Sequence, residues 1–511
     1  MTAASDPTPA VHERIARRLA ELVTGDPAHP PHPYIRRYLA EHADHGNALD
    51  DQHLPPEFLP WETSGRVRSL LGLPLTDPGD RPTLTAWACI EPFLAGVDPP
   101  GKRASLAIAH AAVIERPLRA RAEPVTDFRI DVRWARWEIP NNVVGTAGAE
   151  ILALVGFPGP DGRTLLATGS TDGTVRLWDP ARGTAVSQPL TGHTDTVQAV
   201  AAVDLADGRT LLATGSADGT VRLWDPARGT VVGQPLTGHS GGVWAVAAVG
   251  LADGRTLLAT GSADGTVRLW DPTRGTVVGQ PLTGHSGGVW AVAAVGLADG
   301  RTLLATGSTD GTVRLWDPAR GTAVGELQTG HTDWVLTMAA VGLADGRTLL
   351  ATGGGDATVR LWDPARGTAV GRPLTGHTGG VLTVAAVDLA DGRTLLATGS
   401  ADGTVRLWDP ARGTAVGELQ TGHTDGVGAV AAVDLADGRT LLATGSTDGT
   451  VRLWDPATRA ELMRAVLVGP IYALAAENRR GEGPASLVVG GPGGLTLLTV
   501  GTERSSVNWG R

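Results

Sequence analysis

Residues 193–238 read HTDTVQAVAAVDLADGRTLLATGSADGTVRLWDPARGTVVGQPLTG, and this stretch decides the fold because the chain repeats it with few changes. Its Trp-Asp dipeptide occurs seven times, each time 46 residues after the last. A fixed period of this length is typical of one supersecondary unit copied many times, in which each copy buries its apolar faces against its neighbours. The seven tryptophans are Trp178, Trp224, Trp270, Trp316, Trp362, Trp408 and Trp454.

One repeat contains four strand signals separated by turn signals. VQAVAAV is followed by Asp207-Gly208, and TLLATGS is followed by Asp218-Gly219. Asp-Gly supplies the positive φ values that a tight hairpin needs. TVRLWD then reads as the third strand and TVVGQPL as the outermost one, where Pro235 is tolerated because one edge is free. The first strand is rich in alanine, which suits strands that converge on a central channel and favours a propeller over a sandwich.

The repeat resembles the WD-repeat β-propeller family over about residues 128 to 500. The resemblance implies an all-β propeller. The segments IYALAA and SLVVGGPGGLTLLTV look like a degenerate further unit without an outer strand, which residues 128–144 (FRIDVRWARWEIPNNVV) can supply. We therefore predict eight four-stranded blades, with the propeller spanning residues 127–504 and closed by pairing of 128–144 beside 485–500. Seven blades is the alternative, because terminal repeats are often atypical caps.

The resemblance also implies a polar network within each blade, made in the quoted repeat by His193, Thr214, Asp218 and Trp224. A buried indole N–H and a buried imidazole need hydrogen-bond partners, which is the physical reason for such a network. A His, an Asp and a hydroxyl also form catalytic triads, but six copies at structural positions argue against a single active site. We predict no catalytic residue. The first copy reads GTAGAE where the others have Gly-His, so its network is incomplete.

The copies differ most just after each Gly-His, where they read HTDTVQAV, HSGGVWAV, HSGGVWAV, HTDWVLTM, HTGGVLTV and HTDGVGAV. In the family this loop lies on the face where partners commonly dock. Because aromatic residues are enriched in binding hot spots, we predict that Trp244, Trp290 and Trp334 form an adjacent arc around the channel mouth and bind a partner. Secondary contributors are predicted at other variable positions: Gln198, Leu336, Leu382, Thr309 and Gly355.

The alternative is that these three tryptophans pack between blades and that the copies differ by drift after duplication. Solvent accessibility distinguishes the two interpretations. Indoles closed to solvent would favour packing, whereas an exposed aromatic patch favours binding.

Residues 1–126 contain no Trp-Asp unit and are predicted to form a small all-α domain. VHERIARRLAELV places Val11, Ile15, Leu19 and Leu22 on one helix face. HPYIRRYLAEHADHG reads as a second helix after Pro33, and TAWACIEPFLAGV and KRASLAIAHAAVIERPLRARA as further helices. HPYIRRYLAEHA resembles the segment joining the ATPase to the propeller in bacterial NACHT-type signalling ATPases. That resemblance implies a sensor acting with a separately encoded ATPase.

Neither a cofactor nor a metal site is predicted. Residues 96–103 have the Gly and Lys spacing of a phosphate-binding loop, but Arg103 replaces the Ser or Thr that would hold Mg²⁺. Five histidines crowd one stretch without a cysteine or a fixed ligand spacing, so we predict solvated side chains and no metal. They are His29, His32, His42, His45 and His53.

Composition bounds the function. The net charge of −10 over 511 residues argues against a broad basic face for nucleic acid or an anionic membrane. A single cysteine, Cys89, suits a reducing compartment, and no secretory signal is visible, so we expect a cytoplasmic protein. The sequence predicts a non-enzymatic scaffold or sensor that binds a protein or peptide. An enzyme with its active site at the channel mouth is the alternative, but the variable positions offer Trp, Leu, Gly and Gln where titratable groups would be needed.

Overall fold

Eight antiparallel sheets form the blades of a propeller. The computed structural model describes residues 9–23, 30–62, 66–71, 81–91, 94, 97–114, 128–137, 150–159, 163–180, 184–324, 328–419, 422–467, 469–477, 485–491 and 494–502. Seven of the sheets are built from strands that follow one another along the chain. The eighth combines three consecutive strands with the strand that precedes all the others.

The strands have the same order in every blade, counted outward from the channel. From blade 1 to blade 8, the first strands are Ile151–Pro158, Val197–Asp204, Val243–Gly250, Val289–Gly296, Val335–Gly342, Val381–Asp388, Val427–Asp434 and Ala473–Glu477. The second strands are Thr164–Ser170, Thr210–Ser216, Thr256–Ser262, Thr302–Ser308, Thr348–Gly354, Thr394–Ser400, Thr440–Ser446 and Ala485–Gly491. The third strands are Val175–Asp179, Val221–Asp225, Val267–Asp271, Thr312–Asp317, Val359–Asp363, Val405–Asp409, Thr450–Asp455 and Gly494–Thr502. The fourth strands are Thr184–Ala185, Thr230–Leu236, Thr276–Leu282, the divided pair Thr322–Ala323 and Gln328–Thr329, Thr368–Leu374, Thr414–Leu419, Ala460–Val466 and Phe128–Trp137.

The ring closes between blades 8 and 1. Each first strand contacts the first strands on either side, and that of blade 8 contacts that of blade 1. The closing strand Phe128–Trp137 pairs antiparallel with Gly494–Thr502, from Phe128 opposite Thr502 to Trp137 opposite Gly494. This pairing covers the outer edge of the last blade with backbone hydrogen bonds. The prediction of eight four-stranded blades is confirmed, and the alternative of seven is wrong.

The apolar core of the propeller lies between neighbouring blades. Between blades 2 and 3, Val203 and Leu223 pack against Val243, Leu258 and Trp270, all of them at most 2% exposed. Burying side chains of this size contributes roughly 1.5–3 kcal/mol each. The same kind of cluster recurs at the neighbouring interfaces, so the ring is stabilised by contacts between adjacent repeats.

Helices precede the ring, as predicted. They are α1 (Pro9–Ala20), α2 (Pro33–His45), α3 (Arg66–Leu71), α4 (Pro82–Ile90) and α5 (Pro99–Ile114), with a 3₁₀ turn at Leu59–Trp61. Helices α2, α4 and α5 each begin at a proline. The N–H groups of the first helical turn have no acceptor within the helix, so a residue without an N–H loses no hydrogen bond there. In the part of the chain that the structure describes, no helix is long and apolar enough to span a membrane.

Helix α5 packs against the ring and against the other helices. Its Ala104 and Ile108 belong to the apolar cluster of blades 7 and 8. Leu106 belongs to the cluster of the helical region, together with Val466 from the outer strand of blade 7. The fully buried Ser105 hydroxyl accepts a hydrogen bond from the Val466 N–H over 2.8 Å and donates to the Gly101 carbonyl over 2.7 Å. The backbone N–H at the end of this outer strand is therefore satisfied inside the protein.

The variant Ser105→Ala is expected to lower the free energy of unfolding by about 1–3 kcal/mol, because it leaves the buried Val466 N–H without an acceptor. Urea unfolding of the full chain measures the change. The exposed Ser240→Ala is the control and should change stability by less than about 0.5 kcal/mol. Equal effects of the two substitutions would contradict the role of Ser105.

Candidate functional site

The loops before the first strands and the turns between second and third strands lie at the same end of each blade, because the strands are antiparallel. We call this end of the ring the Gly-His face. Its inner loops are residues 150–152, 193–198, 239–244, 285–290, 331–336, 377–382, 423–428 and 469–472.

A chain of hydrogen bonds fixes each repeated loop to the blade it enters. In blade 2, Trp224 Nε1 donates to Thr214 Oγ1 over 2.9 Å, and Thr214 Oγ1 lies 2.8 Å from His193 Nε2. His193 Nδ1 lies 2.9 Å from Asp218 Oδ2, which also accepts the Thr194 N–H over 3.0 Å. The same contacts join His239/Thr260/Asp264/Trp270, His285/Thr306/Asp310/Trp316, His331/Thr352/Asp356/Trp362, His377/Thr398/Asp402/Trp408 and His423/Thr444/Asp448/Trp454.

The donors and acceptors of this chain assign a neutral imidazole. The Thr214 hydroxyl receives the indole N–H and can then donate to His193 Nε2, which leaves the ring proton on Nδ1 facing Asp218. Burial lowers the pKa of five of these histidines, which favours the neutral ring: His193, His239, His285, His331 and His423. Burial opposes ionisation of Asp218, but hydrogen bonds from the Thr220 hydroxyl and from the Thr194 and Thr220 N–H groups outweigh it and lower its pKa to about 2.

These residues cannot act as a hydrolytic triad. A nucleophilic hydroxyl must meet its substrate, whereas Thr214 and its five counterparts have no exposed surface. Blade 1 keeps a part of the network: Trp178 Nε1 donates to Thr168 Oγ1 over 3.1 Å, while Asp172 pairs with Arg176 at 2.9 Å. Most of its GTAGAE segment lies outside the described residues.

The three tryptophans after the Gly-His pairs stack on one another across blades 3, 4 and 5. The ring centroids of Trp244 and Trp290 are 4.3 Å apart with planes 19° from parallel. Those of Trp290 and Trp334 are 6.3 Å apart and tilted by 30°. Offset stacking of this kind is a favourable arrangement of aromatic rings. The three indoles thus form one continuous aromatic surface, which we call the tryptophan arc (Trp244, Trp290 and Trp334).

A packing rule between blades explains the arc. Two positions meet at each such boundary, both counted from the histidine of the Gly-His pair. The side chain at the fifth position after the histidine of one blade lies over the residue at the third position after the histidine of the next blade. A Cβ at Gly288 would lie 2.6 Å from Trp244 Cζ3, and one at Gly380 would lie 3.6 Å from Leu336 Cδ1. Glycine at these positions gives the neighbour room to lie on the backbone. In blade 5 that position holds Trp334, so Trp290 stacks on an indole.

The arc both packs between blades and faces solvent. Trp334 is 48% exposed, and Trp244 and Trp290 are half-buried. Trp290 Nε1 has no hydrogen-bond partner among the residues that the structure describes. Leu382 is 36% exposed, and Leu336 is half-buried beside it. Accessible apolar surface therefore continues from blade 3 to blade 6.

The other predicted positions support this surface in different ways. Gln198 occupies in blade 2 the position that Trp244 and Trp290 have in blades 3 and 4, and it is half-buried. Thr309 donates its backbone N–H to the Gly288 carbonyl over 2.9 Å. Gly355 lies beside the Asp333 carboxylate, since a Cβ there would lie 2.9 Å from Asp333 Oδ2. Thr309 and Gly355 thus lie against the inner loops of blades 4 and 5.

Two residues of this face, Tyr472 and Glu150, are absent from the predicted set. Ile471 of blade 8 packs over Gly445 of blade 7, as Val427 of blade 7 packs over Gly399 of blade 6. This gives Tyr472 the position of Trp244. Burial raises the pKa of Tyr472, and the neighbouring Glu150 carboxylate raises it further. Aligning IYALAA with VWAVAA would have identified the tyrosine.

The clustered histidines differ in exposure: His32 and His45 are exposed, as predicted, whereas His42 is half-buried. His53 is 6% exposed, and its Nδ1 lies 2.8 Å from Asp50 Oδ1, so the prediction of a solvated side chain is wrong for it. His42 Nδ1 lies 2.8 Å from His12 Nδ1, across the contact between α1 and α2. His29 falls outside the described residues. Over the described ranges, no group of three His, Cys, Asp or Glu side chains is arranged to hold a metal.

Comparison with known proteins agrees with the observed fold. The family model described as WD domain, G-beta repeat matches residues 144–179, 184–225, 230–271, 276–317, 322–363, 368–409 and 414–455. No curated protein matches the chain. A crystal structure of the computationally designed Ika8 protein is similar at 23% sequence identity and a TM-score of 0.53, over 69% of this chain and 96% of that chain. This last likeness concerns the fold alone.

The variant Thr214→Val is expected to lower the free energy of unfolding by about 2–4 kcal/mol, because it leaves the Trp224 indole N–H and the His193 Nε2 without their shared partner. Thr168→Val is the matched control, since the same hydroxyl in blade 1 serves an indole but no histidine. Its effect should be about half as large. Equal losses in urea unfolding would show that the imidazole contact adds nothing.

Stability is expected to fall as the pH drops below about 6.5. Burial lowers the pKa of His42, His110 and five of the network histidines (His193, His239, His285, His331 and His423). As the pH falls, the unfolded chain therefore binds more protons at these groups than the folded protein does. Their contribution is fully present above the unfolded pKa and is lost as the pH falls through the lowered folded values. Urea midpoints measured from about pH 8 to about pH 5 test this. A constant or rising midpoint would contradict it.

Proposed function

Because this chain belongs to the WD domain, G-beta repeat family, whose propellers are typically protein-interaction scaffolds and generally non-catalytic, we propose that it is a non-enzymatic scaffold or sensor that binds a protein or peptide. The partner docks on the Gly-His face with the tryptophan arc at the centre of the contact. The observation that carries this proposal is the stack of three indoles, of which Trp334 is 48% exposed.

The arc is suited to binding because it is already ordered. Trp244 and Trp290 hold each other in place through their stacked rings, so little further side-chain freedom is lost when a partner covers them. Aromatic side chains of this kind dominate binding energy at the centre of protein interfaces. The positions proposed to border the contact are Gln198, Leu336, Leu382, Thr309 and Gly355.

A sensor role with a separately encoded signalling ATPase is the second form of this proposal. The segment that resembles the linker of NACHT-type ATPases forms α2, and Leu22 and Tyr34 in the helical region are 64% and 47% exposed. Exposed large apolar side chains of this kind are suited to protein contact. In this form the helical region contacts the ATPase while the Gly-His face binds the signal in the cytoplasm. The net charge of −10 favours protein partners over nucleic acid and anionic membranes.

Affinity capture from native cytosol tests the docking surface. The full chain carrying Trp244→Ala, Trp290→Ala and Trp334→Ala should lose proteins that the unchanged chain captures, because removing one hot-spot aromatic weakens binding by roughly 2 kcal/mol or more. Mass spectrometry identifies the captured proteins. Dissociation constants of the purified candidates then quantify the loss.

The matched control changes the same three blades at their opposite ends. Arg255→Ala, Arg301→Ala and Arg347→Ala remove exposed side chains from the turns between first and second strands. Melting temperatures confirm that both triple variants are folded. If the control loses the same proteins, or if the tryptophan variant captures them all, the arc is not the docking surface. A third variant, Leu22→Asp with Tyr34→Asp, reports which captured proteins need the helical region instead.

A further inference from the structure

The inner loops of the Gly-His face carry negative charge at the channel mouth. Beyond the network histidines, their charged side chains are all carboxylates: Glu150, Asp195, Asp333 and Asp425. The three aspartates are exposed and Glu150 is half-buried. A mouth with charges of one sign attracts ligands of the opposite sign.

Each of the three aspartate carboxylates keeps one oxygen open to a ligand. In each of Asp195, Asp333 and Asp425, Oδ1 accepts the N–H of the following residue over 2.7 Å, which orients the group and leaves Oδ2 for another donor. Within the ranges that the structure describes, neither these aspartates nor Glu150 forms an ion pair. A cationic ligand would therefore meet them without displacing an internal cation.

The arginines of this face lie farther from the channel. Arg222, Arg268 and Arg314 belong to third strands, two strands outward from the mouth, and their guanidinium groups pack against the glycines of the Gly-His pairs. A Cβ at Gly192 would lie 2.9 Å from Arg222 Nη1. The face thus has carboxylates at its centre and guanidinium groups toward its rim.

Aromatic surface and negative charge coincide at the mouth. Trp334 is 48% exposed and directly follows Asp333. On the other side of the ring, Tyr472 of blade 8 neighbours Glu150 of blade 1. The face of an indole or phenol ring attracts cations, and a carboxylate beside it strengthens that attraction.

We propose that the channel mouth binds an extended, arginine-bearing segment of a partner protein, whose guanidinium groups lie against the exposed indole of Trp334 and pair with the carboxylates of the inner loops. Arginine suits this surface better than lysine because its planar guanidinium both stacks on aromatic rings and pairs with carboxylates through two parallel hydrogen bonds. The inference rests on the proposed function and adds the charge and side-chain type of the partner.

Fluorescence polarisation with labelled peptides tests the proposal on the full chain. Three peptides share a Gly-Ser backbone and differ only in carrying arginine, glutamine or glutamate at the same positions. The arginine peptide should bind at least about tenfold more tightly than the glutamine peptide, and its affinity should fall as salt is raised from about 50 mM to about 300 mM. The glutamate peptide should bind most weakly.

Single substitutions locate the binding. Asp333→Asn keeps an acceptor for the Trp334 N–H and removes one charge, so affinity for the arginine peptide should drop by about threefold to tenfold with no change in melting temperature. Asp345→Asn removes one charge from the opposite end of the same blade and is the control. Trp334→Ala should weaken binding, and Trp334→Phe should restore most of it because the aromatic face is kept.

Three results would overturn the inference: equal affinity for the arginine and glutamine peptides, tightest binding of the glutamate peptide, or equal effects of Asp333→Asn and Asp345→Asn. The last result would mean that the peptide responds only to net charge. If tryptophan-dependent capture of cytosolic proteins persists despite such a result, only the cationic nature of the partner is wrong. If that capture is also absent, the proposed function fails with it.

Discussion

A fully buried threonine hydroxyl links the indole of each repeated blade to the imidazole of the loop above it, and the Gly-His face depends on this link. The hydroxyl accepts a hydrogen bond from the indole N–H and donates one to the imidazole, so a single side chain satisfies two buried polar groups. Through the imidazole and Asp218 the link reaches the backbone N–H of Thr194, which fixes the loop itself. The loops therefore start the first strands of blades 2 to 7 from equivalent positions, and the side chains that follow them are held at a regular spacing around the channel.

Near-identical repeats still produce an asymmetric face, because two variable positions interact across the blade boundary. Where the next blade has glycine, as at Gly288 and Gly380, the preceding side chain lies flat on the backbone. Where it has Trp334, the stack gains a third ring and an exposed edge. A change at one position in one blade therefore alters the surface of two blades. Diversity accumulates in the loops without disturbing the strands, since neither position takes part in the polar network.

The architecture could be predicted from sequence because periodicity and turn chemistry are local signals, and both recur many times in this chain. Other features depend on contacts between distant residues. Tyr472 and Glu150 belong to degenerate units without the Gly-His pair, so the marker that aligns the copies is missing where they lie. The stacking of Trp290 on Trp334 requires the packing rule between blades, which spacing along the chain does not reveal. The burial of His53 likewise follows from the contacts of the helical region.

Because the repeats are nearly identical, a blade can pair with the wrong neighbour during folding. The segments at the two ends of the ring are unique and disfavour such mispairing. Copies with nearly the same strands can dock in the wrong order, because each interface resembles the next. The closing strand Phe128–Trp137, the third strand of blade 8 and helix α5 have no counterparts in the repeats, so each matches one place in the ring. Ser105 adds a specific hydrogen bond to the outer strand of blade 7, next to the point of closure. The unique residues are thus concentrated where the ring must close in one register, and the repeated residues occupy the blades between.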